Sequence, residues 1–170
     1  LEFRRVLFRS FKLQRVTMNA NTAGAGGYTL FTPIDFYAEY PTKGFYIAQI
    51  IVALGGRAAE IVYFRNKIKN DTNICYSIPE ELNDYEDVDI TTGASGDIRQ
   101  ANGLIKKYLE LFENYIVPES ISDSTQNIID TRISELIKEC LNKAVKIIEK
   151  DINHFYLFTE NLIQNNTLVF

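Results

Sequence analysis

The stretch Ile90-Thr-Thr-Gly-Ala-Ser-Gly-Asp-Ile98 holds the side chain best placed to do chemistry, the carboxylate of Asp97. Thr91, Thr92, Gly93 and Ser95 are turn and cap types, and an apolar pattern of helical period starts at Ile98. Asp97 is therefore predicted just inside a helix start, facing unpaired backbone N–H groups and the positive end of the helix dipole. Such a setting keeps a carboxylate ionised, as a metal ligand must be. The plain alternative is that Asp97 only stabilises the helix start.

No other residue in the chain completes a catalytic set around Asp97. His154 is the single histidine, a lone one near a predicted helix start, and it does not read as a ligand. A self-contained zinc peptidase needs two histidines on one helix face, as in H-E-x-x-H, and that motif is not in these 170 residues. Cys75 and Cys140 are far apart and form no C-x-x-C, so they read as thiols and not as a disulfide or zinc ribbon. Gly24, Gly26 and Gly27 lack the Gly-Lys-Ser/Thr of a phosphate loop. The six acidic residues from Glu80 to Asp89 match no calcium-loop spacing and read as a solvated run.

The positioning elements follow from periodicity. Phe11, Leu13, Val16 and Met18 partly alternate with polar residues, and Tyr28, Leu30 and Phe31 follow a small-residue turn from Thr22 to Gly27. These predict a hairpin-like strand pair stopped by Pro33. From Thr42, a candidate N-cap, to about Phe64 the apolar residues recur at helical spacing, with Gly55-Gly56 inside the pattern. Each glycine there costs about 1 kcal/mol against alanine, which points to a close approach by another backbone; the alternative is a helix break at Gly55. Arg65 to Asp89 reads as an exposed loop. Further helices are predicted from about Asp97 to Tyr115 with Ser95 or Gly96 as cap, from Ser122 or Asp123 over about five amphipathic turns, and from about Asn153 to Gln164. The fold class expected is mainly α, with a small N-terminal β-hairpin-like element.

The bulk numbers agree with one ordinary domain. Apolar residues make up 46% and charged residues 24%, and the net charge of −4 argues against nucleic acid as a main partner. No apolar run is long enough to span a bilayer. Residues 1–10, Leu-Glu-Phe-Arg-Arg-Val-Leu-Phe-Arg-Ser, differ from the rest: three Arg against one Glu, no period, and an abrupt join to Phe11. The codons ctg gag ttc aga cgt gtg ctc ttc cga tct encode this peptide and resemble a sequencing-library adapter. The segment is expected to be a cloning or assembly scar, set aside from fold reasoning; the alternative is a short basic targeting or membrane-surface arm.

Leu54-Gly-Gly-Arg-Ala-Ala-Glu60 followed by Thr91-Thr-Gly-Ala-Ser-Gly-Asp97, with Arg15-Val-Thr17 and Gly26-Gly-Tyr-Thr29 upstream and Ser122-Asp-Ser-Thr-Gln-Asn-Ile-Ile-Asp130 downstream, closely resembles the C-terminal peptidase domain of FtsH-type ATP-dependent zinc metallopeptidases. The resemblance covers about residues 14–165. It implies a helical metallopeptidase domain in which two His of H-E-x-x-H and a carboxylate hold zinc, the Glu between those His being the general base. Carried over, Asp97 takes the position of the third zinc ligand. Glu60 is the runner-up carboxylate, expected to pack against or support the metal site. In the family H-E-x-x-H lies shortly upstream of the segment matched by Arg15-Val-Thr17, and the ATPase module further upstream; residues 1–10 stand in that place here. The chain is thus expected to be a truncated peptidase domain over residues 11–170, inactive alone, with ATP handled by an upstream module. Two departures from the family pattern are a surface insertion at about 65–89 and Glu113-Asn-Tyr115 in place of the usual segment after the Asp helix.

The function implied is degradation of unfolded or membrane proteins by metal-activated water. The parent would be a homo- or hetero-hexameric ring at a bacterial, mitochondrial or plastid membrane, with this part of it soluble. The strand near Val16 is the candidate for holding substrate by edge pairing. The alternatives are a catalytically inactive homologue serving as a structural or assembly subunit, and an unrelated helical interaction module.

Overall fold

The computed structural model describes residues 11–19, 27–70, 91–113 and 122–170, with the backbone alone described at 67–70. Residues 1–10, 20–26, 71–90 and 114–121 lie outside it, and with them the expected scar, most of the turn from Thr22, the acidic run from Glu80 to Asp89 and the bulk of the 65–89 insertion. The described residues are mainly α-helical, with one small antiparallel sheet. The chain divides into two compact units, residues 1–48 with 150–170, and residues 49–149.

In the first unit β1 (Phe11–Thr17) and β2 (Tyr28–Pro33) form the expected antiparallel pair, with Phe11 opposite Pro33 and Thr17 opposite Tyr28. The register shifts between Leu13 and Arg15, leaving Gln14 as the bulged residue. Gly27 lets β2 approach: a Cβ there would stand 2.6 Å from the Thr17 carbonyl oxygen. A third strand, β3 (Thr167–Val169), was not foreseen, and the sheet order is β2-β1-β3. The Thr17 and Thr167 hydroxyls bond at 2.7 Å, and Phe170 N–H donates to the Gln14 carbonyl at 3.0 Å.

The short helix α1 (Asp35–Glu39) follows β2, and α2 (Lys43–Ala53) begins where Thr42 caps it, its hydroxyl accepting from Phe45 N–H at 3.2 Å. The core of this unit is aromatic. Phe11 stacks on Phe45 at 4.9 Å and meets the edge of Phe31 at 5.2 Å, and Tyr37 also stacks on Phe45 at 5.5 Å. At the far end of the chain lies α6 (Ile152–Asn165), closed by Asn166 in the left-handed conformation at φ 56°.

In the second unit the expected continuous helix from Thr42 to Phe64 is interrupted. α2 stops at Ala53, Leu54 is a turn, and α3 runs from Gly55 to Asn70. The break falls next to Gly55, where the alternative reading placed it. α3 also continues through Arg65–Asn70, read from sequence as the start of a loop. Polarity did not mark a loop there, since Arg and Lys are good helix formers. α4 (Ser95–Phe112) buries Ala101, Ile105, Tyr108 and Leu109, and α5 (Asp123–Lys150) buries Ile129, Leu136, Cys140, Ala144 and Val145. Ser122 caps α5, its hydroxyl accepting from Thr125 N–H at 3.4 Å. Arg132 grips Glu113 with two hydrogen bonds of 2.9 Å, tying α5 to the end of α4. Arg65 and Glu149 approach to 3.6 Å between α3 and α5. Among the described residues no single helix is long and apolar enough to cross a membrane.

Candidate metal-ligand site

α3 and α4 bring the two sequence motifs together. Glu60 lies one turn and a half into α3 and spends both carboxylate oxygens locally. Its Oε2 accepts from Arg57 Nη1 at 2.8 Å, and its Oε1 accepts from the Thr91 hydroxyl. The Thr91 hydroxyl oxygen in turn takes the Gly93 N–H at 3.1 Å, and Ser95 N–H bonds back to the Thr92 carbonyl at 3.0 Å. A buried arginine, a glutamate and a threonine thus anchor the turn that launches α4. The helix starts two residues earlier than expected. Ala94 occupies the cap, with no side-chain cap bond, so neither Ser95 nor Gly96 performs that task.

Asp97 is consequently the third residue of α4, partly buried. No described residue donates a hydrogen bond to its carboxylate. Its Oδ2 sits where a side chain at Gly56 would be: a Cβ built on Gly56 would stand 2.8 Å from it. The close approach read into Gly55-Gly56 is real, but a carboxylate makes it, not a backbone. Gly55, by contrast, has open space around it. The expectation that the helix start keeps Asp97 readily ionised is only half the balance, because burial pushes its carboxyl above the ordinary value.

These contacts fit a ligand role in one respect. An unpaired carboxylate resting in a glycine cradle has its lone pairs free to accept a cation. Glu60 has both oxygens engaged, which suits support of the Asp97 turn. Among the described residues no three His, Cys, Asp or Glu side chains gather as a metal site. His154 is exposed and pairs with Asp151 at 2.5 Å, in the other unit of the chain. Val16 is paired with Thr29 on one side and Leu168 on the other, so β1 has no open edge at the point where edge pairing was expected. The signal missed in the sequence was β3, a three-residue strand too short to announce itself. Thr91 was read as a turn or cap type and Gly55-Gly56 as a place of close backbone approach; the partners they meet, Glu60 and Asp97, are set only once α3 and α4 come together.

Comparison with known proteins defines the class to which this arrangement is related. No family model matches the chain. It is 29% identical over 167 residues to the ATP-dependent zinc metalloprotease FtsH of Mesoplasma florum, a match covering 89% of this chain and 22% of that protein. With FtsH of Acholeplasma laidlawii the identity is 27% over 92% of this chain and 24% of the relative, and with that of Mycoplasma mobile 25% over 96% and 23%. The chain is thus similar to FtsH-type zinc metalloproteases along nearly its whole length. It spans less than a quarter of the length of these curated relatives.

Proposed function

We propose that this chain is part of an ATP-dependent zinc metalloendopeptidase and that Asp97 supplies the carboxylate ligand of its metal. The observation that supports this most is the unpaired Asp97 carboxylate held against Gly56, at the meeting of the two segments that resemble the family. Zinc bound by three protein ligands makes water nucleophilic toward a peptide carbonyl. Asp97 holds and orients; Glu60, through Thr91, fixes the turn that carries it; the two histidines and the general base belong to an H-E-x-x-H outside these 170 residues. Unfolded or membrane proteins are the substrates proposed for the parent, delivered by an ATPase module within a membrane-associated hexameric ring.

The test is Asp97→Asn in the full-length parent. Proteolysis of an unfolded substrate and zinc content are both expected to collapse while ATP hydrolysis continues. Unchanged proteolysis removes Asp97 from the metal. The 170-residue chain alone is expected to show no chelator-sensitive cleavage. A parent that holds no zinc and cleaves nothing, yet still assembles, would favour the structural-subunit reading.

A further inference from the structure

Gly55 and Gly56 are neighbours in the first turn of α3, yet their surroundings differ. A Cβ on Gly55 would meet nothing within 4 Å, whereas one on Gly56 would lie 2.8 Å from Asp97 Oδ2. The backbone that carries Asp97 cannot easily drift away from that contact. Its launching turn is tied to α3 by the Thr91–Glu60–Arg57 chain of bonds. The carboxylate itself has no hydrogen bond among the described residues to set its rotamer. Its resting place is therefore set by shape.

We infer that Gly56 is a positioning residue: the absence of a side chain there sets where the Asp97 carboxylate rests, and with it the affinity of the site for zinc. This rests on the reading of Asp97 as a ligand. The scale of the effect follows from distances. Reaching the start of ordinary van der Waals contact at 3.4 Å requires the carboxylate oxygen to move by about 0.6 Å. Metal–ligand distances hold within roughly 0.2 Å, so that displacement is about three times the tolerance. Aspartate can make the move by rotating two side-chain torsions, which spares the helices. Gly56→Ala is thus expected to disturb metal binding and not the fold.

The experiment compares Gly55→Ala, Gly56→Ala and Asp97→Asn in the full-length parent, titrating zinc alone against a chromophoric chelator and following thermal unfolding in parallel. Gly56→Ala is expected to weaken zinc binding at least tenfold with little change in melting temperature, and excess zinc is expected to restore proteolysis. Gly55→Ala is expected to leave zinc affinity unchanged. If Asp97→Asn loses zinc but Gly56→Ala keeps it, the role of Gly56 is overturned and the ligand reading stands. If Asp97→Asn keeps zinc, the ligand reading itself fails, and this inference with it. Equal loss in Gly55→Ala also overturns the inference, since the helix start as a whole would then be at fault. Should Gly56→Ala melt early, adding Asp97→Ala must recover the lost melting temperature, because it removes the atom that the new Cβ meets; a loss that persists refutes the steric account.

Discussion

Glu60→Gln separates a supporting role for Glu60 from direct coordination, and the structure sets the size of the effect. The glutamate accepts from Arg57 at 2.8 Å and from the Thr91 hydroxyl, and the Arg57 and Glu60 side chains are 10% and 21% exposed. Glutamine keeps the volume and one acceptor but removes the charge opposite a largely buried guanidinium. Removing one partner of a fully buried pair costs about 3–5 kcal/mol. Here the amide can still accept one bond and water reaches about a fifth of the side chain, so about 1–2 kcal/mol is expected, the difference between a charge-assisted and a neutral hydrogen bond. With a urea m-value of about 2 kcal/mol per molar, the midpoint of unfolding of the 170-residue chain should fall by about 0.5–1 M at unchanged m. A double-mutant cycle with Thr91→Val should give a coupling of about 0.5–1 kcal/mol. An unshifted midpoint, or zero coupling, refutes the tether. In the full-length parent, Glu60→Gln should retain measurable zinc where Asp97→Asn does not; equal loss would mean that Glu60 coordinates the metal directly.

Other expectations follow from the same unit. Ile105→Ala empties a fully buried position on α4 and should cost about 2–5 kcal/mol in urea unfolding, with a loss under 1 kcal/mol contradicting the packing. Burial pushes the Cys140 thiol up to about 11, so in a Cys75→Ser chain it should resist alkylation at pH 8 until urea is added; prompt labelling would contradict its burial. Because that thiol stays protonated in the fold after the unfolded chain has ionised, its contribution to stability should be constant below about pH 9 and decline as the pH rises toward about 11. Arg132→Lys breaks the two-bond grip on Glu113 and should cost about 1 kcal/mol, less at high salt, as read from urea midpoints at two ionic strengths; an effect independent of salt would argue that packing, not the ion pair, is lost.

Where one stripe is buried along many turns, periodicity located the elements. α5 shows this best: Ile129, Leu136, Cys140, Ala144 and Val145 face inward, as their spacing requires, and Ser122 caps as its type predicts. Periodicity said nothing of β3, because three residues carry no pattern and their partner strand lies at the other end of the chain. The break at Leu54 was open for a related reason. α2 and α3 both bury residues around it, including Ile50, Leu54 and Ala58, so the apolar pattern runs through the turn unbroken. The hairpin was legible from alternation, but Val16 shows the limit of that reading. A strand's own residues do not disclose whether both its neighbours are present.

The candidate site was legible at Asp97 and only half legible at Gly56, where a close approach was expected but not its partner, and the reason is physical. A carboxylate has chemistry of its own, so its position at a helix start and its motif could be weighed directly. A glycine has only an absence, and the meaning of an absence depends on what fills it. In α3 the two adjacent glycines are indistinguishable by type and by helix position, yet one faces open space and the other faces the carboxylate of a different helix. The same holds for Glu60, whose role is set by Thr91 on the other segment and not by its neighbours in sequence. Leu54–Glu60 and Thr91–Asp97 therefore act as one unit: the first supplies the cradle and the anchor, the second the turn and the carboxylate. Substitutions in either segment should couple energetically to the other, whereas Gly55, inside the first segment and out of reach of the second, should not.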